Sequence, residues 1–387
     1  MIKINKTIGI IFENNKELKE LISVVNELKK HYKIHLKIIS PSNIYNDKIS
    51  TDLLQNLDDN IEIYYIKNHF NEKFITLNKF KKILFSFKTK RELKNIMKNV
   101  DLVLSGVQTI FSRIIYSSLN QKVPFFVYHR HLIFSTSHNK TNNFLSSKIT
   151  RYILKSFNID EFFVSTPNVG FADNYLVLGN VNAKYLNKHG VNKKNIHIVG
   201  SLEYDNLKNI TENNTNNKKQ EIVYITSAFE WVNNQLGERN QVYKINNLIK
   251  YVKNNSFCTL TIRIHPREID LKYKKLIEKY PFINLEYPSL NGIIEDLMKY
   301  DIIIGWFSTA IFEISLLNKK VLFYCLQDER DEYIDIIEQL PKEIVVDDIS
   351  TLLKDAKSID VSNIIFYKPD ITSKQRIVNI LLNELND

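Results

Sequence analysis

Short apolar runs of strand length alternate with stretches of helical periodicity along almost the whole chain. Residues 7–12 form the first run, and Leu18, Leu21, Ile22, Val25 and Leu28 follow at the spacing of one helix face. Further strands are expected at 34–39, 61–66, 101–105 and 124–128, with a basic helix before 101–105. The pattern continues through 161–165, 174–177, a helix over 181–189, and 196–199. Such alternation builds a mostly parallel sheet with helices on both faces.

The alternation breaks once. Residues 206–220 (NLKNITENNTNNKKQ) are polar and aperiodic, which marks a linker. Beyond it strands are expected at 221–226, 259–265, 284–286, 301–305 and 321–324, with helices at 242–253, 271–280, 292–298 and 308–317. The expected architecture is α/β, with two doubly wound Rossmann-like lobes. An N-terminal lobe over 1–205 and a C-terminal lobe over 221–360 would be joined by the linker, with a C-terminal helix in 361–387 packing back on the first lobe. Open sheets of this kind bind ligands beyond the carboxyl ends of their strands, so a cleft between the lobes is the expected site.

Composition removes several alternatives. Cys258 and Cys325 stand in separate segments without paired spacing, which argues against a disulfide framework or a zinc site and fits a reducing compartment. The opening apolar run is too short for a signal peptide, and the long apolar stretch 301–317 is interrupted by Glu313. A cytoplasmic protein is expected, possible contact with the inner face of the membrane included. The net charge of +10 admits nucleic acid, an anionic surface or phosphorylated small molecules as partners. No nucleic-acid module accompanies it, so nucleic acid is not expected.

Two segments carry chemistry. Arg263-Ile264-His265-Pro266-Arg267-Glu268 stands where an apolar strand ends and a helix is about to begin. Pro266 fixes the turn, while His265 and Arg267 offer an imidazole and a guanidinium suited to a phosphate. Gly305-Trp306-Phe307-Ser308-Thr309-Ala310-Ile311-Phe312-Glu313 again follows a strand and opens a helix. The hydroxyls of Ser308 and Thr309 with the first-turn N–H groups suit an anion, and Glu313 suits a ribose diol. A plain Ser N-cap explains the same residues. Ser227, after the first strand of the second lobe, is a further candidate phosphate contact, with Trp231 for a base or sugar.

The His-Pro pair after one strand and the Ser-Thr pair after a later one resemble bacterial GT-B transferases. The similar families are sialyltransferases and polysialyltransferases with CMP-activated donors, capsule Kdo transferases, and the CDP-glycerol polymerases of teichoic acid synthesis. The segment 175–205, ending in Val199-Gly200-Ser201, resembles the stretch before the interdomain linker of surface-carbohydrate transferases. The resemblance implies that His265, Ser308 and Thr309 hold nucleotide phosphates. It also implies a cytoplasmic, inverting transferase that moves an acidic sugar from a CMP donor to a glycan or lipid-linked glycan. A CDP-glycerol or UDP-sugar transferase and a sugar-nucleotide epimerase are the alternatives. The acidic triplet that supplies the sialyltransferase base is missing. The strand 124–128 instead runs into His129-Arg130-His131, so His131 or His129 is the expected base, with Glu13 the next candidate.

Other matches fail on context. Glu278 and Glu286 have the spacing of a retaining motif but do not flank a strand–helix turn. No Asp-x-Asp stands at a strand end, so neither a metal nor any other cofactor is expected. The basic segment 79–98 places Phe80, Ile83, Leu84 and Phe87 at helical spacing. It reads either as a core-facing helix or as a contact with an anionic membrane.

Overall fold

The structure is a computed structural model. It describes residues 3–12, 14–40, 49–50, 53, 60–67, 69, 79–106, 110–119, 123–130, 169–209, 219–229, 234–268, 271–289, 293–306, 309–333, 337–338, 340–350, 356–358, 364 and 370–386. The chain divides into two units. One holds Met1–Ile133, Ser137–Asp205 and Lys368–Asp387, and the other holds Phe134–Thr136 and Asn206–Tyr367.

Among the described residues the first unit holds a seven-stranded sheet, and the strand expected at 161–165 lies outside them. Its strands are β1 (Asn5–Ile11), β2 (Lys33–Ser40), β3 (Ile61–Tyr65), β4 (Leu102–Ser105), β5 (Phe125–His129), β6 (Asn174–Val177) and β7 (Ile196–Ile198). All neighbours are parallel, in the order β3-β2-β1-β4-β5-β6-β7. The chain therefore winds outward from β1 one way and then, from β4, the other. Such reversal leaves a crevice at the carboxyl ends of β1 and β4.

Each face of this sheet has its own apolar layer. Helix α1 (Asn15–Leu28) covers one face with Leu18, Leu21, Val25 and Leu28, against Ile8, Ile10, Leu104 and Tyr128. Asn14 caps the helix by accepting from the Glu17 N–H at 3.0 Å. The other face receives Phe85 and Leu93 of α2 (Lys79–Ile96), Phe111 and Ile115 of α3 (Ile110–Ser118), and Tyr185 and Leu186 of α4 (Asn180–Lys188). Near-continuous apolar strands are what a sheet buried on both faces requires.

In the second unit α5 (Gln235–Asn254), α6 (Leu271–Lys279), α7 (Ile293–Leu297) and α8 (Thr309–Ser315) alternate with β8 (Gln220–Ile225), β9 (Cys258–Arg263), β10 (Ile283–Glu286), β11 (Ile302–Gly305), β12 (Lys320–Tyr324) and β13 (Val345–Val346). The order is β10-β9-β8-β11-β12-β13, all parallel, and repeats the plan of the first sheet. Its switch point lies between β8 and β11. Helix α5 begins earlier than its apolar period suggests, because Asn234 accepts from the Gly237 N–H at 2.9 Å and caps a polar first turn. The two-residue β13 has no period to read.

The last helix, α9 (Ser373–Asn386), belongs to the first unit. Asp205 accepts from the N–H groups of Ser373 and Lys374 at 2.6 and 3.0 Å, so a distant carboxylate caps it. Ile377, Leu381 and Leu385 then join the apolar layer of α1. Among the described residues no helix is long and apolar enough to cross a membrane.

Candidate active site at the strand ends

In the second sheet Ile225 pairs with both Arg263 and Gly305, and Gly305 pairs with Phe323. The residues that follow, Thr226-Ser227, Ile264-His265, Trp306 and Cys325, therefore emerge along one edge. Gly305 leaves little room for a side chain there. A Cβ would lie 2.9 Å from Ile311 Cδ1 and 3.2 Å from the Ile225 carbonyl oxygen.

His265 is the best-defined polar group of this edge. The backbone N–H of Arg267 donates to its Nδ1 at 3.1 Å. A neutral imidazole held this way carries its proton on Nε2, which becomes the donor. Burial lowers the pKa of the ring, Glu268 opposes that shift, and Arg267 adds to it. The backbone N–H of His265 donates to Thr226 Oγ1 at 2.8 Å and to Glu268 Oε2 at 3.3 Å.

Glu268 gathers the elements around that turn. Its carboxylate accepts from Tyr273 OH at 2.8 Å, from Gln241 Nε2 at 2.9 Å, and from the Thr226 hydroxyl. Gln241 in turn accepts from the Ser227 N–H at 2.7 Å and donates to the Ser227 carbonyl at 3.3 Å. Strand ends β8 and β9 and helices α5 and α6 thus meet on one buried carboxylate. Pro266 and Arg267 are exposed on the turn.

A second buried group lies at the ends of β11 and β12. Lys244 of α5 pairs with Glu329 at 2.7 Å, both side chains being 1% exposed. The ammonium sits 4.0 Å from the centre of the Trp306 ring, and Glu329 also accepts from the Leu326 N–H and from Asn240. Burial pushes the ammonium down and the carboxyl up, and each partner opposes the shift of the other. Burial, with Glu329 nearby, also pushes the Cys325 thiol up to about 12. Nothing in local spacing links Lys244 to Glu329, so sequence reasoning misses the pair.

The remaining candidates of this unit fall as follows. Thr309 opens α8, Glu313 is a buried residue of that helix, and Ser308 and Trp231 lie outside the described residues. Arg263 is held below the edge by Glu286 at 2.5 Å and Asp296 at 2.6 Å. It ties β9 to β10 and α7 and is spent on that pairing.

The first unit has its own polar edge. His129 ends β5, is 2% exposed, and stacks on Tyr175 with ring centres 5.9 Å apart. Arg130 turns to the opposite face and meets Glu20 of α1 at 3.2 Å, with Glu203 at 4.0 Å. Burial raises the Glu20 carboxyl to about 7 against the pull of Arg130, with Glu203 adding to the rise. A helix carboxyl held near neutrality beside the end of β5 is a functional candidate that no motif in the sequence marks. Glu17, also buried, occupies the space a side chain on Gly106 would need, since a Cβ there would lie 1.9 Å from its carboxylate. His131 and Glu13 lie outside the described residues. Among the described residues no three His, Cys, Asp or Glu side chains are grouped to hold a metal ion.

No family model and no curated protein matches the sequence. Solved structures do match. UDP-GlcNAc 2-epimerase from Methanocaldococcus jannaschii is 16% identical with a TM-score of 0.57, over 97% of this chain and 99% of that one. MurG of Acinetobacter baumannii is 12% identical with a TM-score of 0.53, over 98% and 99%. The wall teichoic acid polymerase TagF is 13% identical with a TM-score of 0.52, over 98% and 89%. Likeness at these identities is one of fold, and it makes the two Rossmann-like units of this chain a GT-B fold.

Proposed function

We propose that this chain is a sugar-nucleotide enzyme that takes a nucleoside-diphosphate donor, with His265 of the second unit hydrogen-bonded to the diphosphate. The turn around His265 carries the reading. A half-buried imidazole with its Nδ1 occupied presents Nε2–H as a donor at the carboxyl edge of the sheet, where its backbone meets Thr226. Thr309 and Glu313 are assigned to the same donor, as anion and ribose contacts, together with Ser308, Pro266 and Arg267.

The names of the structural neighbours support UDP-linked sugars and polymer precursors over a CMP-linked acidic sugar. The chemistry of transfer is that of an acceptor hydroxyl displacing the nucleotide with inversion, its proton leaving to a general base. The leaving diphosphate is stabilised by hydrogen-bond donors that are already in place. The acceptor is a surface glycan or its lipid-linked precursor. An epimerase on the same fold is the second reading, favoured by the M. jannaschii neighbour.

Titration of the protein with UDP, CDP and CMP tests the donor class. UDP or CDP is expected to bind more tightly than CMP, and the preference is expected to shrink in His265→Ala. Tighter binding of CMP would return the chain to the CMP-sugar enzymes. Incubation with UDP-GlcNAc separates the two reactions. A transferase releases UDP only with an acceptor, whereas an epimerase returns an altered nucleotide sugar with no acceptor present.

A further inference from the structure

Helix α2 holds seven basic residues and one acidic residue, a net charge of +6 on one helix of a chain whose net charge is +10. Its buried stripe is Phe85, Thr89 and Leu93, continued by Met97 just past its end, with Ser86 and Lys90 beside it. That stripe supplies the contact with the core of the first unit. Leu84 and Phe87 are not in it. They stand one turn apart at 38% and 47% exposure, among the exposed Lys88, Arg91 and Lys94.

Solvation accounts for lysines on a surface helix, and a single exposed apolar residue needs no explanation. Two large apolar side chains at i and i+3, ringed by cations and left over after the core contact is complete, form a basic patch with an apolar centre, suited to an anionic lipid surface. We propose that this face of α2 docks on an anionic bilayer. Leu84 and Phe87 enter the boundary between headgroups and acyl chains, and Lys88, Arg91 and Lys94 meet lipid phosphates. Nucleic acid would engage the same cations but gives Leu84 no partner, so the bilayer fits better. The proposal stands independently of which sugar nucleotide the second unit binds.

The test is flotation of the full chain with phosphatidylcholine vesicles and with vesicles that also contain phosphatidylglycerol. Binding is expected only to the anionic vesicles, with a fall of about tenfold or more from low to high salt. The double variant Leu84→Glu/Phe87→Glu, and separately Arg91→Glu/Lys94→Glu, should each weaken binding by about tenfold or more while UDP affinity stays unchanged. Should the first variant fail to fold, Phe87→Ser with an unaltered circular dichroism spectrum replaces it, and the same loss is expected. Failure of the wild type to float with anionic vesicles overturns the proposal. So does an oligonucleotide that binds Leu84→Glu/Phe87→Glu as well as it binds the wild type and strips the protein from vesicles.

Discussion

The Arg267 N–H that donates to His265 Nδ1 at 3.1 Å decides which nitrogen of the imidazole faces chemistry. With Nδ1 engaged, only Nε2 is left to donate to a phosphate. His265→Ala should therefore raise donor KM and lower kcat together, because the hydrogen bond follows the phosphate into the transition state. The combined loss is about 30- to 1000-fold in kcat/KM, or roughly 2–4 kcal/mol. Glutamine places its amide nitrogen near the Nε2 position and asparagine near Nδ1. Steady-state kinetics should find His265→Gln recovering part of the loss and His265→Asn none of it. Equal rescue by both would mean that Nε2 is not the working atom.

Glu268 should act through His265. Its carboxylate accepts from Tyr273, Gln241 and Thr226, and glutamine in its place would set an amide N–H against donors on one side. Losing a buried charge-assisted acceptor costs roughly 1–3 kcal/mol. Glu268→Gln should lower kcat/KM by about tenfold and shift the nitrogen resonances of His265 toward a mixture of tautomers. A variant that is merely less stable, with an unchanged tautomer, would show that Glu268 only holds the fold together.

Glu20 makes a pH prediction. Its carboxyl rises from 4.5 to about 7 in the folded chain, chiefly through burial. The native state therefore holds this proton more tightly than the unfolded state. The contribution is fully present below the unfolded value and is lost as pH rises through the folded value. The wild type should lose roughly 3 kcal/mol from this group across that window. Glu20→Gln does not titrate, so its stability relative to wild type should climb over the same window. Denaturant unfolding at the two ends of the window measures the change, and a constant difference refutes it.

Turnover should persist in EDTA. No Asp-x-Asp stands at a strand end, and the leaving phosphate is assigned to His265 and the first-turn N–H groups of α8. Loss of activity on chelation, with recovery in Mn²⁺ or Mg²⁺, would place a metal in the mechanism.

The fold was legible wherever period and punctuation agree. Leu18, Leu21, Ile22, Val25 and Leu28 repeat at helical spacing and are buried together, and the apolar strands fall where runs of that length end. Helix α2 misleads because it buries Ser86, Thr89 and Lys90, while Leu84 and Phe87 stay exposed. Tertiary packing, not hydrophobicity, chooses its face. The position of His265 was legible because strand ends are. The network around it was not, since Glu268 unites residues from four separate elements, and the pairing of Lys244 with Glu329 spans 85 positions.

The base is the remaining assignment, and of its two candidate histidines the structure describes His129. His129 closes β5 on the face of Val127 and Val177, 2% exposed and stacked on Tyr175. Arg130 points the other way, to Glu20, as alternation along a strand requires. A ring packed like that of His129 contributes to the core, and removing it should cost roughly 1–3 kcal/mol of stability. His131 follows beyond the strand, and we assign it the proton of the acceptor hydroxyl. His131→Ala should then lower kcat by roughly 10²- to 10⁴-fold with UDP affinity nearly unchanged. His129→Ala should lower the melting temperature first and turnover only as folded protein is lost. Turnover per folded molecule, measured beside UDP affinity and Tm in both variants, tests the assignment. If both retain wild-type turnover, the base is a carboxylate of the first unit, and Glu13 and then Glu20 are the residues to replace.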